Sequence, residues 1–117
     1  MIQGKIVKED GSVLASSTEF TTSFFERAKG LLGKKVLQPS YALWIHPCNS
    51  IHMLFMSVSI DAIFLDSNNV ITSIKYRLKP FCLPVIDLKA RSVIELPAGT
   101  VASHGVGQGE KLSFVAS

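Results

Sequence analysis

The sequence predicts one β-dominated α+β domain, a compact antiparallel barrel or sandwich-like sheet carrying one or two short helices. Three observations predict it. The longest apolar tract, residues 48–66, is rich in β-branched and aromatic side chains, which favour strands over a helix. An Asp10-Gly11 turn separates two extended segments near the start, a hairpin signal. Residues 70–78 alternate with a period of two.

Composition bounds the problem. At 117 residues the chain fits a single domain spanning 1–117. A domain of this size buries roughly two-thirds of its unfolded surface, so it needs neither metal nor disulfide as a staple. Hydrophobic residues make up 47% and charged residues 18%, which argues against disorder. Ser57, Ser59 and Asp61 interrupt the best candidate for the ~18 uninterrupted apolar residues of a spanning helix. The first residues lack the pattern of a signal peptide, so a cytoplasmic location is expected. A net charge of +3 is too mild to argue for nucleic acid. Cys48 and Cys82 lack CxxC spacing and are expected to be free, buried thiols. No cofactor is expected.

Taken in order, residues 2–8 and 12–16 form the hairpin, and the polar residues 18–22 are an edge strand or a connection. Ser23-Phe24-Phe25-Glu26 resembles a capping box. Phe24, Ala28, Leu31 and Leu32 then recur at helical spacing, which predicts a helix over 24–32 that Gly33 ends. Residues 41–45 read as a strand stopped by His46-Pro47. The long tract divides near 57–59 into two strands, and 67–69 is a turn. In 70–78, Val70, Thr72, Ile74, Tyr76 and Leu78 share one face; Lys75, Arg77 and Lys79 share the other. Residues 80–84 are a proline-bounded loop. A strand over 92–96, a short helix near 99–104 closing at Gly105, and a last strand over 111–115 complete the chain.

Several motifs carry a family resemblance. Pro47-Cys48-Asn49-Ser50-Ile51-His52, then Phe55-Met56, Ile60-Asp61 and Phe64-Leu65-Asp66, resemble the signature of the Domain of Unknown Function 192 family. Arg27-Ala28-Lys29-Gly30-Leu31-Leu32, Leu78-Lys79-Pro80, Val93-Ile94-Glu95-Leu96-Pro97-Ala98-Gly99-Thr100 and Gly109-Glu110-Lys111-Leu112 are similar to its other motifs. The resemblance implies a compact, mostly antiparallel β domain with short helices and no assigned biochemical role. Met53, Ser57 and Ser59 stand where the family usually has threonine, arginine and proline. If that threonine and arginine hold an anion in relatives, this chain lacks both groups.

The candidate sites follow from ionisable residues inside apolar sequence, since burying such groups is costly unless they are paired. His52 and Asp61 would face each other if a turn near 57–59 joined antiparallel strands. An imidazole beside a carboxylate can act as a general base, and it can equally be a hydrogen bond that fixes strand register. His46, Cys48 and His52 share one face of an extended strand and could hold zinc, with Cys82 or Asp61 as a fourth ligand. Lys75, Arg77 and Lys79, with Lys34 and Lys35, form a basic surface that suits an acidic partner or simply protects an edge strand. Glu95, Gly99 and Thr100 lie at a strand-to-helix turn able to meet an anion, while a Thr100 cap and a Glu95–Arg91 pair would explain the same residues. The favoured reading is a non-enzymatic binding or accessory domain for a small anionic or polar ligand near His52, Asp61 and the 95–100 turn. A small hydrolase or zinc enzyme and a protein-interaction module are the alternatives.

Overall fold

The computed structural model describes residues 1–54 and 56–117; Phe55, part of the motif quoted above, lies outside the described residues. Among these, the chain runs β1 (Ile2–Lys8), β2 (Val13–Phe20), α1 (Phe24–Lys29), β3 (Tyr41–Ile45), β4 (Ser50–Ile51), β5 (Ile60–Leu65), β6 (Ile71–Leu78), β7 (Val85–Ile86), β8 (Ser92–Pro97), α2 (Thr100–His104) and β9 (Leu112–Ala116). Seven strands form one sheet in the order β6-β5-β8-β3-β2-β1-β9, and β4 pairs with β7 separately.

The expected hairpin forms, with Asp10 Oδ1 accepting from the Ser12 amide (2.8 Å) and hydroxyl (2.6 Å) in its turn. Its second strand reaches Phe20, absorbing most of the stretch expected to be an edge or a connection. The sheet departs from a purely antiparallel pattern at β2 and β3, which pair in parallel. Residues 21–40, including α1, provide the long crossover that such a pair needs.

The sheet is buried on both sides. Along β3, β5 and β8, alternate residues enter two apolar clusters: Trp44, Ile63 and Ile94 belong to one, Leu43, Phe64 and Val93 to the other. This double burial explains why these strands are near-continuous apolar runs. The first cluster lies within the curl of the sheet with Ile6, Leu14 and Leu112, and is plugged by Val101 and Val106 in and after α2. The second is covered by Leu31, Ile51, Met53 and Met56 from the segments outside the main sheet.

Two helical expectations need correction. Helix α1 ends at Gly30, whose amide bonds Glu26 O, rather than at Gly33. None of its residues is buried, and Phe25 is 84% exposed; the apolar anchor is Leu31, just past its end. The capping box is half made. The Glu26 amide donates to Ser23 Oγ (3.2 Å), but the Glu26 carboxylate takes the Thr22 amide (2.7 Å) and the N-terminal ammonium (3.0 Å). The strand expected to continue beyond Ile51 also stops there, because β4 turns to pair with β7.

The sheet is curled but does not close into a barrel. Its outer strands meet near one end, where Val70 and Lys111 form a bridge and the Ile71 and Leu112 amides donate to Glu110 O (2.8 Å) and Asn69 O (3.0 Å). These two amides will therefore show slowed hydrogen exchange despite belonging to edge strands. Exchange at unstructured-peptide rates would show that the edges do not hold one another.

Candidate functional site

Asp61, on β5, is fully buried. Its Oδ1 accepts from the Arg77 amide (2.9 Å), and its Oδ2 from the Gly99 and Val101 amides (each 3.0 Å). Two local distortions aim those donors. A register shift in the β5–β6 ladder leaves Arg77 at φ 50°, and Gly99 at φ 96° turns the chain from β8 into α2. A side chain at position 99 would be strained by that φ and would meet the Arg77 guanidinium at 3.2 Å. The carboxylate thus secures an edge bulge and the start of a helix at once.

The expected His52–Asp61 pairing is corrected by this arrangement. The ladder that would oppose them does not form, and Asp61 is instead satisfied by backbone amides. Strand alternation divides the candidate residues further. Asp61 pairs with Leu96, of the first apolar cluster, whereas Glu95 pairs with Ala62, of the second. Glu95 therefore faces the side of the sheet away from Asp61 and α2. Thr100 does not cap α2 through its side chain; its hydroxyl donates to Pro97 O (2.7 Å). Glu95 makes no ion pair with Arg91 among the described residues.

His52 and Glu95 do come together, as lining residues of a pocket of about 70 Å³ between α1 and the sheet. Arg27, Gly30, Cys48 and Ser50 also line it. Glu95 is only 5% exposed, and its Oε1 has no hydrogen-bond partner among the described residues. Burial pushes its pKa up to about 7. His52 is exposed at the rim. The Cys48 thiol donates to Ser50 O at 3.0 Å, and burial raises its pKa, with the Glu95 charge acting in the same direction. A thiol so held is a poor nucleophile near neutrality. The contributions of Arg27 and Gly30 were beyond sequence patterning, because α1 reaches the pocket only through the crossover, and Ser50 carried no signal of its own. The legible signals were the ionisable or ligating residues inside apolar sequence, Cys48, His52 and Glu95.

The other candidates separate. His46 lies beside the Phe20 ring (centroids 6.2 Å apart) and does not line the pocket with Cys48 and His52. Among the described residues no group of three or more His, Cys, Asp or Glu side chains is placed to hold a metal ion. Lys75, Arg77 and Lys79 are exposed on or beside edge strand β6, but strict alternation fails at its bulges. Ile71 and Ile74 pack into one cluster and Leu78 into the other, while Tyr76 is exposed. Arg77 is accordingly drawn over Gly99 and is not one member of a regular stripe.

The model of the DUF192 family, described as an uncharacterized ACR, matches residues 5–114. A UPF0127 protein of Pyrococcus horikoshii is 41% identical over 98 residues, covering 79% of this chain and 82% of that protein. Another, of Thermococcus sibiricus, is 38% identical over 117 residues, covering 93% of this chain and 73% of its own. In fold, the chain is similar to a crystal structure from Sinorhizobium meliloti 1021, with a TM-score of 0.83 at 20% identity over 97% of this chain and 92% of the other. A protein of unknown function from Novosphingobium aromaticivorans has a TM-score of 0.80 at 20% identity, covering 95% of this chain and 83% of that one.

Asp61→Ala would strand buried amides and is expected to cost about 4 kcal/mol in urea unfolding. Gly99→Ala should cost about 1–3 kcal/mol through its positive φ. A loss under about 0.5 kcal/mol for Asp61→Ala, the range of ordinary surface substitutions, would contradict the bonding described.

Glu95 predicts a pH dependence. With a folded pKa of about 7 against an ordinary 4.5, the native state binds the extra proton between those values. Its contribution is full below about pH 4.5 and is lost as pH rises through about 7, up to about 3 kcal/mol in all. Glu95→Gln should remove this decline, so the variant gains on the parent between pH 5 and 8. Parallel stability curves for the two proteins would refute it.

Proposed function

This chain belongs to the Domain of Unknown Function 192 family, and we propose that it is a non-enzymatic binding domain for a small polar ligand, seated in the pocket between α1 and the β3–β8–β5 face. The observation that carries this reading is the unpartnered Glu95 oxygen. A buried polar atom without a partner costs on the order of 1–3 kcal/mol, and a ligand donor would recover that cost. The exposed His52 ring and the Arg27 side chain at the pocket supply further polar contacts, while Asp61, Gly99 and Thr100 act by holding the sheet and α2 in place.

Binding is favoured over catalysis by the chemistry of the walls. Cys48 is the thiol in the pocket, and its raised pKa keeps it protonated. His52 has lost the carboxylate partner that would have oriented it as a base, because Asp61 faces the other side of the sheet.

An amide-resolved NMR titration with amines, carboxylates, polyols and nucleotides tests the reading. At least one class should give saturable shifts converging on residues 27–32, 48–52 and 95, weakened about tenfold or more in Glu95→Gln. Shifts confined to Lys75–Lys79, or equal responses in parent and variant, would count against it.

A further inference from the structure

The pocket floor shows which kind of group it lacks. At Gly30, the position that a Cβ would occupy lies 3.5 Å from Glu95 Oε1 and 4.0 Å from the Arg27 carbonyl oxygen. Gly30 has φ 50° and ψ −127°, a backbone conformation that strongly favours glycine, so this place carries no side chain. The missing side chain leaves Glu95 Oε1 uncovered on the side facing the end of α1. A further acceptor brought to that oxygen would be repelled, whereas a donor would be held.

The charge needed is also defined. Ionised Glu95 has no compensating cation among the described residues, because the ion pair found there joins the N-terminus to Glu26. An ammonium would supply hydrogen bonds and a countercharge together, which a neutral hydroxyl cannot. Farther out, Arg27 and Lys29 line the pocket. The Arg27 guanidinium lies 5.9 Å from the Phe24 ring centroid, a cation–π contact, and makes no ion pair with Glu95 among the described residues. The pocket lining thus holds an acid and two bases that do not pair with one another, together with apolar Ile45, Ile51 and Met56.

We infer that the pocket takes a compact zwitterion of the amino-acid type, its ammonium donating to Glu95 Oε1 and its carboxylate turned toward Arg27 and Lys29. A volume of about 70 Å³ suits a small ligand. This inference rests on the binding reading above and adds the ligand class.

A matched three-carbon series distinguishes the two: β-alanine, propylamine, propionate and 1,2-propanediol, titrated by NMR and by calorimetry at pH 7. β-Alanine should bind about tenfold or more tighter than each of the other three and lose that advantage in Glu95→Gln. It should also release protons, since a bound ammonium favours ionised Glu95; calorimetry in buffers of different ionisation enthalpy reads this directly. Arg27→Ala, checked for an unchanged spectrum away from α1, should bring β-alanine down toward propylamine. Propionate or propanediol binding as tightly as β-alanine at the same residues would overturn the zwitterion class and leave the binding reading standing. Propylamine matching β-alanine would overturn the assignment of the carboxylate to Arg27 and Lys29. Silence from all four would overturn the ligand class, and silence across the wider panel as well would overturn the binding reading itself.

Discussion

The carboxylate of Asp61 ties together parts of the chain that no regular ladder could join. One oxygen takes the amide of Arg77 from a bulged edge strand, and the other takes two amides where β8 turns into α2. Each donor sits in backbone that an unbroken strand or helix does not provide, so each would be an orphan without this acceptor. The consequence reaches the core, because Val101 plugs the inner apolar cluster only if α2 begins where Asp61 holds it. Gly99 and the bulge at Arg77 are best understood as the backbone's accommodation to that single acid.

Glu95 is the opposite case, a buried carboxyl that the fold leaves unsatisfied. It follows Ile94 by one residue and thereby points to the other side of the sheet, where Leu31 and the chain after α1 form the cover. There its Oε1 finds no donor among the described residues, and burial raises its pKa and costs stability when it ionises. A purely structural site would be better filled by an apolar residue. An acid kept there suits a group that meets its partner in a bound molecule.

Much of this architecture was legible in local patterns. The Asp10-Gly11 hairpin, the strand Tyr41–Ile45, the short α2 closing at Gly105 and the β-dominated class all follow from turn chemistry and side-chain periodicity. The failures are equally physical. Helical spacing of Phe24, Ala28, Leu31 and Leu32 overextended α1, because Gly30 turns the chain so that Leu31 can reach the core. Alternation along β6 misassigned its faces, because a bulge shifts every side chain beyond it to the opposite face. The apolar residues after Ile51 suggested a longer strand, but their burial comes from covering the sheet rather than from joining it.

The sequence by itself determined that the fold is β-dominated, and it singled out the ionisable residues embedded in apolar runs, since periodicity, turn residues and the cost of buried charge are local properties. Only the tertiary structure decided which of those residues meet. Strand register placed Asp61 and Glu95 on opposite faces, the pairing of β4 with β7 carried His52 away from Asp61, and the long crossover brought α1 over Glu95. Such choices rest on contacts between residues far apart in the chain, set by how sheets and covers pack together, and no short window of sequence encodes them.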